Sequence, residues 1–266
     1  MNLPSLSAAD LALVAVVTGL VTAVAYLRSP RAKSLAYSLP LPFTAGLVAS
    51  GQEIDATHIM GVAMVWGYPW LVWLLCRRVQ LNVIAADAAA LAAYLGASLL
   101  SARLVPAGGS AAGTAAFWAG LAALLAGGLA ALTVPCRPEP GHRSPLPAAV
   151  KVPGVFLLVA GIVLLKNPLR GFMPTFPFVT VFTVYEARNC LHTIAARMPV
   201  FILGMVPFLA VCRLAVPAWG HGPALALAWA AYLPVYLLLD RFMAGRAQAV
   251  APGCEPAPSP QRADGQ

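Results

Sequence analysis

A few ionisable residues lie within long apolar stretches of this sequence, and their types could carry chemistry. An ionisable side chain at the centre of a bilayer costs about 2.5–3.5 kcal/mol on insertion scales. Asp87 lies about 9 Å along a helix axis into the apolar run 81–101, which contains no Lys or Arg. It is a candidate proton carrier or cation ligand. The alternative is a carboxyl group that is hydrogen-bonded between helices, within reach of Arg77 or Arg78.

A second group surrounds the start of a later apolar run and consists of Glu186, Arg188, His192 and Arg197. Arg188 precedes His192 by one helical turn, so the two can share a helix face. Glu186 could pair with Arg188 as a gate, and Arg188 with Arg197 could bind an anion. The alternative is that these arginines only mark a membrane interface, as basic residues commonly do.

An acidic counterpart precedes an earlier apolar run and consists of Glu53, Asp55 and His58. Histidine is the side chain whose charge changes most readily near neutral pH. A solvated loop is the alternative. The complete set of candidate ion or proton couplers is Glu53, Asp55, His58, Asp87, Glu186 and His192.

Two short apolar segments, 34–50 and 169–185, are interrupted by prolines. A proline removes a backbone N–H donor and kinks a helix, so freed carbonyls and half-helix ends can meet a polar guest. Such ends are tolerated at membrane depth only when they are buried in protein or face a wet cavity. A simple packing kink is the alternative. The candidate substrate-binding residues are Pro40, Pro42, Phe43, Thr44, Pro174, Phe176, Pro177, Phe178, Tyr185, Arg188 and Arg197.

The composition indicates that lipid is the main solvent of this chain. Of 266 residues, 60% are hydrophobic and only 10% are charged, against about 25% in an average soluble domain. The mean hydropathy is +0.80. The net charge of +8 comes from single basic residues at the ends of apolar runs, which argues against nucleic-acid binding. The five cysteines are scattered without metal spacing, which argues against a disulfide scaffold or a metal site.

Apolar runs predict an all-α bundle of about nine transmembrane helices, because strands in lipid would require alternating polarity. The predicted spans are 8–27, 34–50, 57–76, 81–101, 114–133, 150–165, 169–185, 191–212 and 222–240. With the N-terminus outside, 13 of the 17 basic residues fall in inner segments. This bias predicts a multi-pass protein of the bacterial inner membrane with a cytoplasmic C-terminus. Trp66, Trp70 and Trp73 share one face of the third span, which favours packing or lipid contact over substrate stacking.

The two halves of the chain resemble each other. Lys33 to Glu53 is 20 residues, as is Lys166 to Glu186. The first interval contains two prolines and the second three, and each contains a Pro-Phe pair. Four spans per repeat with one span between them would invert the second copy, as in many secondary transporters. The predicted organisation is a first four-helix repeat over 1–102, a linker helix and cytoplasmic loop over 103–149, a second repeat over 150–246, and a disordered tail over 247–266. Chance similarity of apolar sequence is the alternative.

Several motifs resemble the GlpM family of small inner-membrane proteins. They are Gly171-Phe-Met-Pro-Thr-Phe-Pro-Phe, Tyr185-Glu-Ala-Arg188 and Val206-Pro-Phe-Leu, with Leu39-Pro-Leu-Pro-Phe43, Glu53 and Trp66-Gly-Tyr-Pro69 as a fainter copy. The resemblance implies four-span units with a proline-rich second span, here fused in tandem through an extra helix. That family is associated with alginate production in pseudomonads, and its molecular activity is undefined. One departure is Asp55, which stands where the second half has Arg188.

The sequence contains no HExxH, GxSxG or Walker motif, so we expect no enzymatic activity and no cofactor. A two-sided cavity in a symmetric frame instead predicts a secondary transporter or a flippase for lipids or lipid-linked precursors. The alternative is a non-catalytic scaffold or accessory subunit of an envelope polysaccharide or lipid pathway. The expected partners are membrane lipids and a small-molecule or lipid-linked substrate, with a possible homo-oligomer and no nucleic acid.

Overall fold

The computed structural model describes residues 7–27, 32, 35–36, 38–106, 108–134, 148–164, 169–186, 188 and 191–249. Within these ranges the chain forms nine α-helices and no strand, which confirms the predicted all-α fold. The helices are α1 (Ala8–Tyr26), α2 (Leu41–Ser50), α3 (Ala56–Arg78), α4 (Val83–Leu104), α5 (Ala111–Ala131), α6 (Ala148–Leu164), α7 (Phe178–Glu186), α8 (Leu191–Trp219) and α9 (His221–Ala249). A 3-10 turn over Arg170–Phe172 precedes α7.

Local side-chain chemistry explains where several helices begin and end. Asn82 and Ser110 accept hydrogen bonds from the backbone N–H groups of Ala85 and Gly113, at 2.9 and 3.0 Å, and so cap α4 and α5. Gly51 and Gly220 end α2 and α8 with φ values of 61° and 73°, a region that glycine adopts at little cost. The turn at Gly220 joins α8 directly to α9.

Five helices are long and apolar enough to cross a bilayer, by length and composition: α3, α4, α5, α8 and α9. Their outward faces carry large apolar side chains, such as Ile84 at 65% exposure and Leu238 at 65%. A soluble protein rarely exposes apolar surface on this scale. The chain is therefore an integral membrane protein, while the predicted count of nine spans stays a prediction.

The two proline-containing segments form half-helices. Helices α2 and α7 have 10 and 9 residues, or roughly 15 Å, against a hydrocarbon thickness of about 30 Å. The predicted span 169–185 is accordingly divided into the 3-10 turn, a turn at residues 173–175 and α7. Conversely, α8 runs on to Trp219, beyond the predicted end of its span at residue 212.

Helices α1 and α3 each pack against several other helices, and arginine side chains make polar contacts at the two ends of the bundle. Helix α1 contacts α2, α6 and α7, while α3 contacts α4, α5 and α8. At one end, Arg213 donates hydrogen bonds to the carbonyls of Ile54 and Gly108, both at 2.7 Å. We call this the Arg213 end. At the other end, which we call the Arg197 end, Arg246 of α9 donates to the carbonyl of Leu132 after α5, at 2.9 Å.

Some predicted features lie wholly or partly outside the described residues. They include Lys33 and Lys166, which begin the two matched intervals, most of the predicted loop 134–149, and the tail from residue 250. The side chain of Glu186 is also outside the described part of the structure. The proposed domain boundaries therefore stay predictions.

Candidate functional site

The two proline-broken segments meet in the interior of the bundle and enclose a cavity of about 50 Å³. Both segments supply its walls, together with α3 and α8. Seven of the predicted substrate-binding residues line it: Pro40, Pro42, Phe43, Pro174, Phe176, Pro177 and Phe178. The other lining residues are Leu39, Val62, Val65, Thr175, Val179, Thr180 and Phe201. Segments far apart in the sequence thus form one site.

This cavity is narrow and mainly apolar. Its volume has room for about one water molecule, whereas ligand pockets are typically about 300–1,000 Å³. Among its described lining residues none is charged, and the only side-chain polar groups are the hydroxyls of Thr175 and Thr180. The broken backbone is therefore buried in protein in this conformation, which is one of the two environments that lipid permits.

Three glycines permit the close approach of the turn at residues 171–175. A Cβ atom on Gly46 of α2 would lie 2.8 Å from the Cα atom of Pro174. A Cβ on Gly61 of α3 would overlap the side chain of Thr175, and one on Gly171 would overlap Thr57 and His58. The turn fits between α2 and α3 because these three positions have no side chain.

Helix α4 supplies a polar partner for the irregular backbone before α7. The hydroxyl of Tyr94 donates to the carbonyl of Phe172 at 3.1 Å and lies 3.2 Å from Oγ1 of Thr175. The Thr175 hydroxyl also donates to the Phe172 carbonyl, at 3.1 Å. Buried carbonyls that a broken helix leaves free are satisfied in this way by side chains.

Helix α9 does the same for the backbone before α2. Tyr232 donates its hydroxyl hydrogen to the carbonyl of Ser38, and Tyr236 donates to that of Leu35 at 3.1 Å. Trp229 donates from Nε1 to the hydroxyl of Thr44 at 3.1 Å. Thr44, one of the predicted substrate-binding residues, therefore lies beside the residues that line the cavity. Sequence reasoning missed these aromatic partners. The spacing of Trp229, Tyr232 and Tyr236 on one helix face was the available signal.

The predicted acidic group at the Arg213 end forms a buried cluster, except for Glu53, which is exposed. Asp55 caps α3 and accepts hydrogen bonds from the backbone N–H of Thr57, at 2.9 Å, and from the Thr57 hydroxyl. Nδ1 of His58 lies 3.0 Å from Oδ1 of Asp55. Burial alone would raise the pKa of Asp55, but His58 and Thr57 outweigh it and lower the pKa to about 2.

The predicted group at the Arg197 end is spread over several contacts. Arg197 of α8 lies 3.5 Å from Asp240 of α9, and both side chains are largely buried. His192 packs edge-on against Trp70 and Trp73, with ring centroids 5.6 and 5.9 Å apart. These contacts assign the two tryptophans at least partly to packing between α3 and α8.

The remaining predicted residues lie apart from both clusters. Arg188 is exposed, and its guanidinium lies 5.8 Å from the ring centroid of Tyr185. Asp87 accepts a hydrogen bond from the Tyr68 hydroxyl at 2.8 Å, as expected for a carboxyl group between helices. The candidate couplers therefore do not share one site. Within the described residues, no group of three His, Cys, Asp or Glu side chains is placed to share a metal ion.

Comparison with known proteins gives no matching family model, no matching curated protein and no matching solved structure. The GlpM resemblance therefore rests on the quoted motifs alone.

Proposed function

We propose that this integral membrane protein is a secondary transporter or lipid flippase whose substrate path runs between the two proline-broken segments. The observation that carries the proposal is that both segments line one interior cavity and touch directly at Gly46 and Pro174. Half-helices that meet inside a bundle are the arrangement that transporters use for their binding sites.

The packing of the helices supports an inverted repeat with α5 as the linker. The first helices of the two halves, α1 and α6, contact each other, as do the third helices, α3 and α8. The fourth helix of each half holds the broken segment of the other half, through Tyr94 in one case and Tyr232 in the other. A pseudo-twofold relation between the halves would produce these reciprocal contacts.

The apolar lining favours a substrate with an apolar chain, such as a lipid or a lipid-linked precursor. The cavity must widen to admit it, so under this proposal the described conformation is an intermediate between two open ones. In the transport cycle, the polar contacts at the Arg213 end and those at the Arg197 end would break alternately. Transport would be driven by an ion gradient or by the concentration gradient of the substrate. We place the Arg213 end outside and the protein in the bacterial inner membrane.

Cysteine labelling tests the proposal. In a variant whose other cysteines are replaced, Val65→Cys provides a thiol in the cavity wall. A membrane-impermeant maleimide is applied to intact spheroplasts and to inside-out vesicles. A transporter exposes this thiol to both sides in turn, so we expect labelling in both preparations. The matched control retains only Cys212, which is buried in α8 away from the cavity and should react in neither.

A membrane scaffold could have the same packed junction but would not open it to either side. A folded protein whose Val65→Cys thiol reacts from neither side would favour the scaffold and overturn the transporter.

A further inference from the structure

His58 is a buried histidine with one ring nitrogen anchored and the other without a partner. The residue has 0% exposure, and its Nδ1 lies 3.0 Å from the Asp55 carboxylate. Its Nε2 has no hydrogen-bond partner among the described residues. Buried side-chain nitrogen atoms normally have one, so this exception requires a reason.

The position of the proton on the neutral ring follows from these contacts. A proton on Nδ1 is donated to Asp55, and Nε2 then carries only a lone pair. A proton on Nε2 would leave a buried N–H donor without an acceptor, which costs more. The backbone N–H of Asp55 points at Nδ1 from 3.2 Å and would donate to it in the other tautomer. The carboxylate oxygen 3.0 Å from Nδ1 is the stronger, charged partner, so the contacts favour the Nδ1–H tautomer.

The turn before α7 closes over this ring. A Cβ on Gly171 would overlap both Nδ1 and Cε1 of His58, so the backbone of residue 171 packs against that edge of the imidazole. The same turn continues through Pro174 and Thr175 into the wall of the cavity. A change at His58 can thus reach the candidate substrate path through one rigid turn.

We propose that His58 is the proton-binding site of this transporter and that its protonation moves the 170–175 turn away from α3, opening the Arg213 end. The proposal rests on the proposed function and names the proton as the ion that gates the Arg213 end. In the closed state, a proton added from water to the Nε2 lone pair would create a buried cationic N–H without an acceptor. Movement of the turn lets water reach Nε2–H, and loss of that proton to water allows reclosure.

The charges around His58 agree with this direction. Asp55 pairs with the imidazolium, while Arg213 is held beside Gly108, which itself touches Asp55. Arg213 therefore places one positive charge at the Arg213 end. A second positive charge, on His58, would be repelled by it, and this repulsion favours opening. The other titratable or charged residues of the elements around this end are Glu53, Arg103, Arg170 and His221. Glu53 and Arg103 are exposed, His221 faces the carbonyl of Gln52, and the Arg170 side chain is outside the described part.

The experiment measures how opening depends on pH. Val62→Cys lies one helical turn after His58 and lines the cavity. Gly109→Cys provides an exposed thiol at the same end, in open space. An impermeant maleimide is applied to spheroplasts, and the rate at Val62→Cys is divided by the rate at Gly109→Cys, which cancels the pH dependence of the reagent. We expect this ratio to rise from pH 8 to pH 5.5, by up to about 300-fold, because each pH unit changes the protonation ratio of a single site tenfold.

Three substitutions test whether His58 causes the pH dependence of the labelling ratio. His58→Gln should make the ratio independent of pH, and it keeps a polar side chain at the third position of α3, where Gln is suitable. His192→Gln is the matched control, since its Nδ1 is also buried without a partner in the described chain, and it should leave the rise intact. Gly171→Ala should hold the turn off the ring and give a high ratio even at pH 8.

The outcomes separate the two proposals. A pH-dependent ratio that persists in His58→Gln would overturn the proton site, as would labelling of Val62→Cys that is equal at all pH values. Either result leaves the transporter standing. A folded protein whose Val62→Cys thiol never reacts would overturn the proton site and the transporter together.

Discussion

Gly46 of α2 lies directly against the backbone of Pro174, so that a Cβ atom on residue 46 would sit 2.8 Å from the Pro174 Cα atom. The absent side chain is what allows the two proline-broken segments to touch. Contacts below 3.0 Å force a shift, and here the obstacle is backbone that cannot rotate away. The contact between the two segments at this point therefore depends on the missing methyl group of residue 46.

We expect Gly46→Ala to destabilise the protein by about 1–3 kcal/mol, the usual cost of overpacking a well-packed interior. Gly67→Ala in α3 is the matched control because nothing lies within 4 Å of its Cβ position. It should be neutral or stabilising by up to about 1 kcal/mol through helix propensity. Denaturant unfolding in detergent measures both. Equal effects of the two substitutions would contradict the close contact.

Tyr94→Phe should destabilise the protein by about 0.5–1.5 kcal/mol, because it removes a donor to the Phe172 carbonyl. Thr175→Val removes the other donor to the same oxygen. We expect the double variant to differ from the sum of the two single effects, since the donors share one acceptor. Tyr236→Phe, which acts on Leu35, should add to Thr175→Val. Unfolding free energies in detergent provide both cycles, and simple addition in the first would refute the shared acceptor.

Local sequence patterns were enough to identify the elements of the site but not their partners. Prolines disrupt helices through their own backbone, so the positions of Pro40, Pro42, Pro174 and Pro177 were sufficient to predict two broken segments. The all-α fold followed from apolar runs in the same way. Both predictions depend on chemistry within a few residues of chain.

The contacts between the halves could not be read from such patterns. Tyr94 and Tyr232 stand in apolar runs where an aromatic side chain faces either lipid or protein, and only tertiary packing decides. Arg213 lies one residue past the predicted end of its span, where a basic residue commonly marks an interface. In the structure it lies within α8, and its guanidinium donates hydrogen bonds to two loop carbonyls.

The ion pair between Arg197 and Asp240 gives a third prediction. Arg197→Met would remove one charged partner of the largely buried Asp240 carboxylate and should cost about 1–3 kcal/mol. Arg197→Met combined with Asp240→Leu replaces both charges with apolar groups, so we expect most of that loss to be recovered. Thermal unfolding in detergent compares the three proteins. A double variant that is less stable than either single one would show that the pair does not couple α8 to α9.

The Asp55 cap of α3 should make the protein sensitive to acid in a defined direction. The pKa of this carboxyl is lowered from its usual 3.8 to about 2, so the folded state holds the ionised form more strongly than the unfolded chain does. The resulting stability is fully present above pH 3.8 and is lost as the pH falls through about 2, where the folded protein also takes up the proton.

Asp55→Asn isolates this contribution, because Asn is an equally good helix cap but has no charge to lose. We expect the variant to be less stable at pH 6, and the difference from the parent protein to shrink as the pH falls from 4 to 2. Unfolding free energies across that range in detergent measure the difference, and other carboxyl groups cancel because both proteins contain them. A gap that stays constant with pH would mean that the charge of Asp55 contributes nothing to the fold.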